Sequence, residues 1–135
     1  MADGTPRDLS KYRLEQAKEC LVAAEATVDL SVKTSVNRSY YCIFHAMRAI
    51  LALDGFDSKK HTGIISAFRQ MYIKSGKIAA HFSDIIGDAF EVRNDGDYED
   101  FHVVDKTEAL QQIENARSFL EAVEKYISDL GEGGL

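Results

Sequence analysis

Proline occurs only once in this chain of 135 residues, at position 6. Proline interrupts helices because it lacks a backbone N–H donor and its ring collides with the preceding turn. Pro6 lies outside the helical patterns of the sequence, so nothing in the long periodic stretches that follow would break them. The chain is therefore free to form long, unkinked helices.

Apolar residues recur at intervals of three and four, the spacing that places them on one face of a helix. The pattern predicts long helices at about 8–29, 34–53, 79–93 and 106–129, and a shorter one between Ser58 and the break at 74–76. Gly55 is suited to the left-handed conformation that ends a helix. Asp105 is expected to cap the last helix, and residues 94–104 are predicted to be a loop because Asn94-Asp95-Gly96 is a turn signal.

No segment shows the alternation or the β-branched runs of a strand, so no sheet is expected. Long helices joined by short loops pack antiparallel. The sequence predicts one all-α domain over residues 1–135, an antiparallel bundle of about five helices with flexible ends at 1–7 and 131–135. The helix at 34–53 is apolar almost all round, which places it at the centre of the bundle or in a subunit interface.

Composition excludes several classes of protein. The sequence has no run of about 18 apolar residues, which is the length that a membrane span needs. The first ten residues lack the apolar core of a secretory signal. Cys20 and Cys42 lie in apolar stripes, as expected of buried thiols in the reducing cytoplasm. The four histidines have no metal-ligand spacing, and no glycine-rich phosphate loop is present, so neither a metal nor another cofactor is predicted.

Charge is distributed unevenly along the chain, whose net charge is −6. Residues 30–83 hold eight basic side chains and two acidic ones, whereas residues 84–135 hold four basic and fourteen acidic ones. The basic block could steer an anionic ligand or a charged partner to this segment. Alternatively, the two blocks neutralise each other across the fold or across a dimer.

Two side chains are candidates for chemistry. Arg93 closes the predicted fourth helix beside an acidic turn, where it could bind Asp95 or Asp97, or hold a phosphate. His45 lies on the most apolar helix, where its ring would be costly to bury without a partner.

Three separated motifs resemble those of small prokaryotic HEPN proteins. Residues 37–51 (NRSYYCIFHAMRAIL) are similar to their aromatic second helix, and residues 60–66 (KHTGIIS) to the start of their third. Residues 93–98 (RNDGDY) are similar to their R-N-x-x-D-Y element. The resemblance implies a helical bundle, usually a homodimer, encoded with a minimal nucleotidyltransferase in a toxin–antitoxin or related defence pair.

Many relatives in this family are metal-independent ribonucleases, whose signature is an arginine, a polar residue and a histidine four to six intervening residues after the arginine. Arg93 and Asn94 match this signature. The histidine does not, because the corresponding positions are Tyr98, Glu99 and Asp100, and His102 comes too late. The candidate site therefore comprises Arg93, Asn94, Asp97 and Tyr98, with His45 and His102 as secondary candidates.

Two functions are compatible with this pattern. The favoured one is a dimeric binding and regulatory module that docks a nucleotidyltransferase and binds RNA or a nucleotide, with the Tyr98 hydroxyl open to modification by that partner. The alternative is a ribonuclease that combines Arg93 with a non-standard partner such as His45 or His102 from the facing subunit of a dimer. Tyr40, Tyr41, Phe68 and Tyr72 would then stack on bases, although aromatic residues at helical spacing more often form a core.

Replacing Tyr98 by histidine should confer weak, metal-independent RNA cleavage. The change restores the spacing of four intervening residues after Arg93 and supplies a group with a pKa near 6.5. Cleavage of a labelled RNA in EDTA should be optimal near neutral pH and should disappear when Arg93→Ala is added. Strong cleavage by the unmodified protein would contradict the reasoning from the missing histidine.

Overall fold

Five α-helices are present in the computed structural model, which describes residues 4–98 and 103–132. They are α1 (Pro6–Thr27), α2 (Val32–Ala52), α3 (His61–Phe68), α4 (Phe82–Tyr98) and α5 (Lys106–Glu132). A π-helical turn, Arg69–Ile73, continues α3. Within the described ranges there is no strand, so the prediction of an all-α bundle of about five helices is confirmed.

Helix α1 begins earlier than its periodicity predicted, because Thr5 caps it. The Thr5 hydroxyl accepts a hydrogen bond from the backbone N–H of Asp8, and the Thr5 N–H donates to the Asp8 carboxylate, each at 3.1 Å. Pro6 is thus the first helical residue and not outside the helix. Proline is tolerated there because the first N–H of a helix has no intrahelical acceptor.

Two further helix boundaries follow the predicted signals, whereas the start of α3 does not follow the cap predicted at Ser58. The backbone of Gly55 has φ +73°, so the left-handed conformation expected after α2 is confirmed. The Asp105 carboxylate accepts from the N–H of Glu108 at 2.8 Å, which confirms it as the cap of α5. Ser58 does not cap α3: its hydroxyl accepts from the N–H of Lys60, and α3 begins at His61 without a side-chain cap.

The predicted loop at 94–104 is wrong at its start, because α4 runs on to Tyr98 through Asn94-Asp95-Gly96. A glycine inside a helix costs only about 1 kcal/mol relative to alanine, so a turn signal of this kind is weak. Burial of Val92 in the preceding turn holds the end of α4 against the bundle. Helix α5 also extends beyond the prediction, through Gly131 to Glu132.

Helix α2 lies at the centre of the bundle, in contact with α1, α3, α4 and α5. Thirteen of its 21 residues are buried. The central position predicted from its apolar character is therefore confirmed. Since the chain itself covers these residues, they no longer argue for a dimer interface, and the homodimer stays a prediction.

The thiols of Cys20 and Cys42 are free and buried, as expected. Burial raises the pKa of the Cys42 thiol far above its ordinary value. None of the helices in the described part of the chain is long and apolar enough to cross a bilayer.

Phe119 is a sensitive position of the core. Its ring is fully buried and lies 5.5 Å from that of Phe68 and 5.7 Å from that of Phe82. Phe119→Ala should lower the free energy of unfolding in urea by about 3–5 kcal/mol, because it removes a large side chain and leaves a cavity. Leu110→Ala, at a position on the same helix that is 45% exposed, is the control and should cost less than about 1 kcal/mol. Equal losses for the two variants would contradict this packing.

Candidate functional site

A strip of partly exposed side chains follows the middle of α2. Arg38, Tyr41, His45 and Arg48 recur at steps of three and four residues, and every position between them is occupied by a buried residue. The guanidinium of Arg38 stands 5.0 Å from the centre of the Tyr41 ring, and that of Arg48 stands 5.9 Å from the Phe44 ring. The strip therefore has a cation at each end and the rings of Tyr41 and His45 between them.

His61, the first residue of α3, packs against this strip. Its ring stacks on Phe44 at 4.1 Å between centroids, and the Tyr41 ring meets it edge-on at 5.7 Å. A hydrogen bond of 2.8 Å joins His61 Nδ1 and the hydroxyl of Tyr40. The position and orientation of the imidazole are thus set by three aromatic residues of α2.

Arg93 reaches the same rings from α4. Its guanidinium carbon lies 5.2 Å from the centre of the Tyr40 ring and 5.6 Å from that of Tyr41. Its Nη2 donates to the Tyr41 hydroxyl at 3.4 Å and its Nη1 to Asn94 Oδ1 at 3.3 Å. We refer to Tyr40, Tyr41, His61 and Arg93 as the Arg93–His61 cluster.

The environment of the cluster keeps its imidazole neutral. Burial lowers the pKa of His61, and the positive charges of Arg93 and Arg48 lower it further. Burial also raises the pKa of Tyr40 to about 12, although Arg93 acts in the opposite direction. At neutral pH the cluster therefore combines a fixed cation, a neutral imidazole and a protonated phenol.

His45 belongs to a separate cleft between α1 and α2. The cleft has a volume of about 330 Å³ and is also lined by Glu19, Cys20 and Arg38. Burial lowers the pKa of His45 to about 4, and Arg48 and Arg38 add to the effect. Its buried Nδ1 has no hydrogen-bond partner among the described residues, so the partner that the cost of burying this ring called for is not found there.

The structure brings together some of the predicted site residues. Arg93 and Asn94 are adjacent and hydrogen-bonded. The backbone of Asp97 and Tyr98 forms the last turn of α4, but their side chains lie outside the described residues, as does the whole of His102. The centroid of the His45 ring lies 5.9 Å from that of the Tyr41 ring, so His45 lies next to the cluster.

His61 was not among the predicted site residues. Its position in the motif at 60–66 was the available signal, because a histidine opens the helix there. His61 contacts Tyr40 and Tyr41, the rings that Arg93 also contacts, because of how α3 and α4 pack against α2. Local spacing in the sequence does not reveal this packing. In the described part of the chain, no group of three or more His, Cys, Asp or Glu side chains could hold a metal ion.

The fold and the cluster define a small helical protein with a cationic, aromatic site. The HEPN domain family model matches residues 10–126, and the chain therefore belongs to the HEPN family. It is 32% identical to a UPF0332 protein of Thermotoga maritima, over 89% of this chain and 92% of that protein. Two proteins of Methanocaldococcus jannaschii, named "Putative toxin MJ0142" and "Putative toxin MJ0605", are 28% and 29% identical, over 90% and 87% of this chain and 82% and 87% of their own lengths.

The lowered pKa of His45 predicts that the free energy of unfolding depends on pH. In the unfolded chain this histidine takes up a proton near its ordinary pKa of 6.5, whereas in the folded protein it does so only near 4. Between these values the unfolded state binds more protons, so the free energy of unfolding falls as the pH falls from 6.5 towards 4, and this contribution is complete above 6.5. His45→Phe should weaken that dependence.

The measurement is urea unfolding of both proteins at several pH values. The stability of the wild type relative to His45→Phe should be constant above pH 6.5 and should decrease below it. A relative stability that does not change with pH would show that the folded protein accepts the proton as readily as the unfolded chain.

Proposed function

We propose that this HEPN protein is the toxin-type member of a two-protein pair and that its Arg93–His61 cluster binds the phosphodiester backbone of RNA. The observation that carries the proposal is the guanidinium of Arg93, held over the rings of Tyr40 and Tyr41 beside His61. Guanidinium groups recognise phosphate through two parallel N–H donors, and aromatic packing holds this fork in place before the ligand arrives.

Neighbouring side chains add to the attraction for an anion. Arg38 lies over the same Tyr41 ring that Arg93 contacts, and its own hydrogen bonds go to neutral groups, Asn37 Oδ1 at 2.8 Å and the Cys20 sulfur at 3.9 Å. Arg48 is paired with Asp57 at 3.3 Å and contributes less.

A minimal nucleotidyltransferase is the proposed second member of the pair. The resemblance at residues 37–51, 60–66 and 93–98 supports this partner, and two relatives have toxin in their names. On this proposal the protein acts as a dimer, and Tyr98, in the last turn of α4, is the hydroxyl that the partner would modify.

A second candidate function is metal-independent RNA cleavage, which His61 favours. A neutral imidazole beside a fixed cation can accept the proton of a ribose 2′-hydroxyl while the cation stabilises the charge that develops on the phosphate. The attacking 2′-oxygen then forms a bond to phosphorus as the bond between phosphorus and the 5′-oxygen breaks. The 5′-oxygen takes up a proton from water, and the His61 imidazolium returns its proton to the solvent. His61 would thus supply the chemistry of the histidine that is missing after Arg93.

Arg93→Gln should weaken the binding of a fluorescent single-stranded RNA by about tenfold, because it removes one charge-assisted contact to phosphate. Arg93→Lys should recover part of the affinity, since it keeps the charge but not the planar fork. Fluorescence anisotropy measures the three affinities. The matched control is Lys125→Gln, which removes a positive charge from the exposed surface of α5, where Lys125 pairs with Asp129.

Equal losses for Arg93→Gln and Lys125→Gln would mean that binding depends on overall charge and not on the cluster. The same proteins, together with His61→Gln, are then incubated with RNA in EDTA. Cleavage by the wild type that Arg93→Gln and His61→Gln both lack supports the ribonuclease, whereas binding without cleavage supports the binding module alone.

A further inference from the structure

A pocket separate from the Arg93–His61 cluster lies between α3, its π-helical turn and α4. Its volume is about 520 Å³, within the range that binds small molecules. Apolar side chains form most of its surface, principally Ile65, Ile73, Ile86 and Phe90, and the two charged residues that line it, Arg69 and Lys74, are both basic.

The π-helical turn shapes one wall of this pocket. It begins at Arg69, and the N–H of Lys74 donates to the Arg69 carbonyl at 2.8 Å, across five residues instead of four. Such turns are rare and occur frequently at functional sites. Here Arg69 is the first residue of the turn and Lys74 directly follows its last residue, so the turn sets the spacing of the two basic side chains of the pocket.

Arg69 is held in place across the pocket. Its Nη2 donates to the Ser83 carbonyl of α4 at 2.9 Å. Gly87, one turn further along α4, leaves room for it, because a Cβ at this position would lie only 3.1 Å from Nη2. The buried Nε of Arg69 has no hydrogen-bond partner among the described residues.

We propose that this pocket binds a small amphipathic anion, with a flat apolar body against Ile65, Ile86 and Phe90 and one acidic group at Arg69 and Lys74. Among the described residues no carboxylate lines the pocket, although the chain as a whole carries a net charge of −6. The local charge therefore selects an anion over a cation. The apolar surface supplies affinity, and the two basic groups set the orientation.

Two probes that differ in a single charge test this proposal. Anilinonaphthalene sulfonate has a flat apolar body and one sulfonate, and phenylnaphthylamine has a similar body without it. Fluorescence titration should show the sulfonate binding about tenfold more tightly, as expected for a charge-assisted contact. Equal affinities, or no saturable binding of the sulfonate to the folded protein, would overturn the proposal.

Variants of Arg69 and Gly87 test whether the probe binds in this pocket. Arg69→Met keeps an apolar side chain of similar reach but removes the charge, so the sulfonate should lose about tenfold in affinity while the neutral probe is unaffected. Gly87→Ala should displace the guanidinium and weaken only the sulfonate. Alanine is the better helix former, which offsets the loss of the hydrogen bond from Arg69 to the Ser83 carbonyl, and thermal unfolding checks that this second variant is folded.

Lys125→Gln is the charge-matched control and should leave both affinities unchanged. If Arg69→Met and Gly87→Ala behave like this control, the probe binds elsewhere and the proposal fails. The result is independent of the RNA site, because Arg93 does not line this pocket. Arg93→Gln is therefore expected to weaken RNA binding without weakening the sulfonate, and a parallel loss of both would mean that the two sites are not separate.

Discussion

The burial of α2 is the constraint on which the rest of this structure depends. Four other helices surround it, and their apolar faces exclude water from most of its length. Hydrophobic burial of this extent is the main favourable term in folding. Because the neighbours cannot cover every side, one strip of α2 remains accessible, and the candidate site forms along that strip.

Several aromatic residues serve both the core and the candidate site. Tyr40 and Phe44 are buried members of the main hydrophobic cluster, yet they also contact Arg93 and His61. A cation held on rings that are themselves locked in the core loses little conformational freedom when it binds a ligand. The rigidity of the core therefore contributes directly to the organisation of the site.

Helix α4 connects the two proposed sites. Arg93 lies in the Arg93–His61 cluster, whereas Gly87 borders the pocket around Arg69. Phe90 lies between them in the chain, lining the pocket while its ring stands 6.0 Å from that of Tyr40. A ligand in the pocket would consequently touch the helix that positions Arg93.

The periodicity of apolar residues determined the number of helices and the central position of α2, because both follow from which residues must avoid water. Arg93 was identified from its place at the predicted end of a helix and from the motif at residues 93–98, and it donates a hydrogen bond to its neighbour Asn94. Tertiary structure decided that α4 continues past Gly96. It also decided that His61 Nδ1 forms a hydrogen bond of 2.8 Å with the Tyr40 hydroxyl. A local turn signal changes the free energy by less than the packing of a whole helix does, so the helix continues through it. A contact between residues 21 positions apart depends on how two helices pack together, which local sequence does not specify.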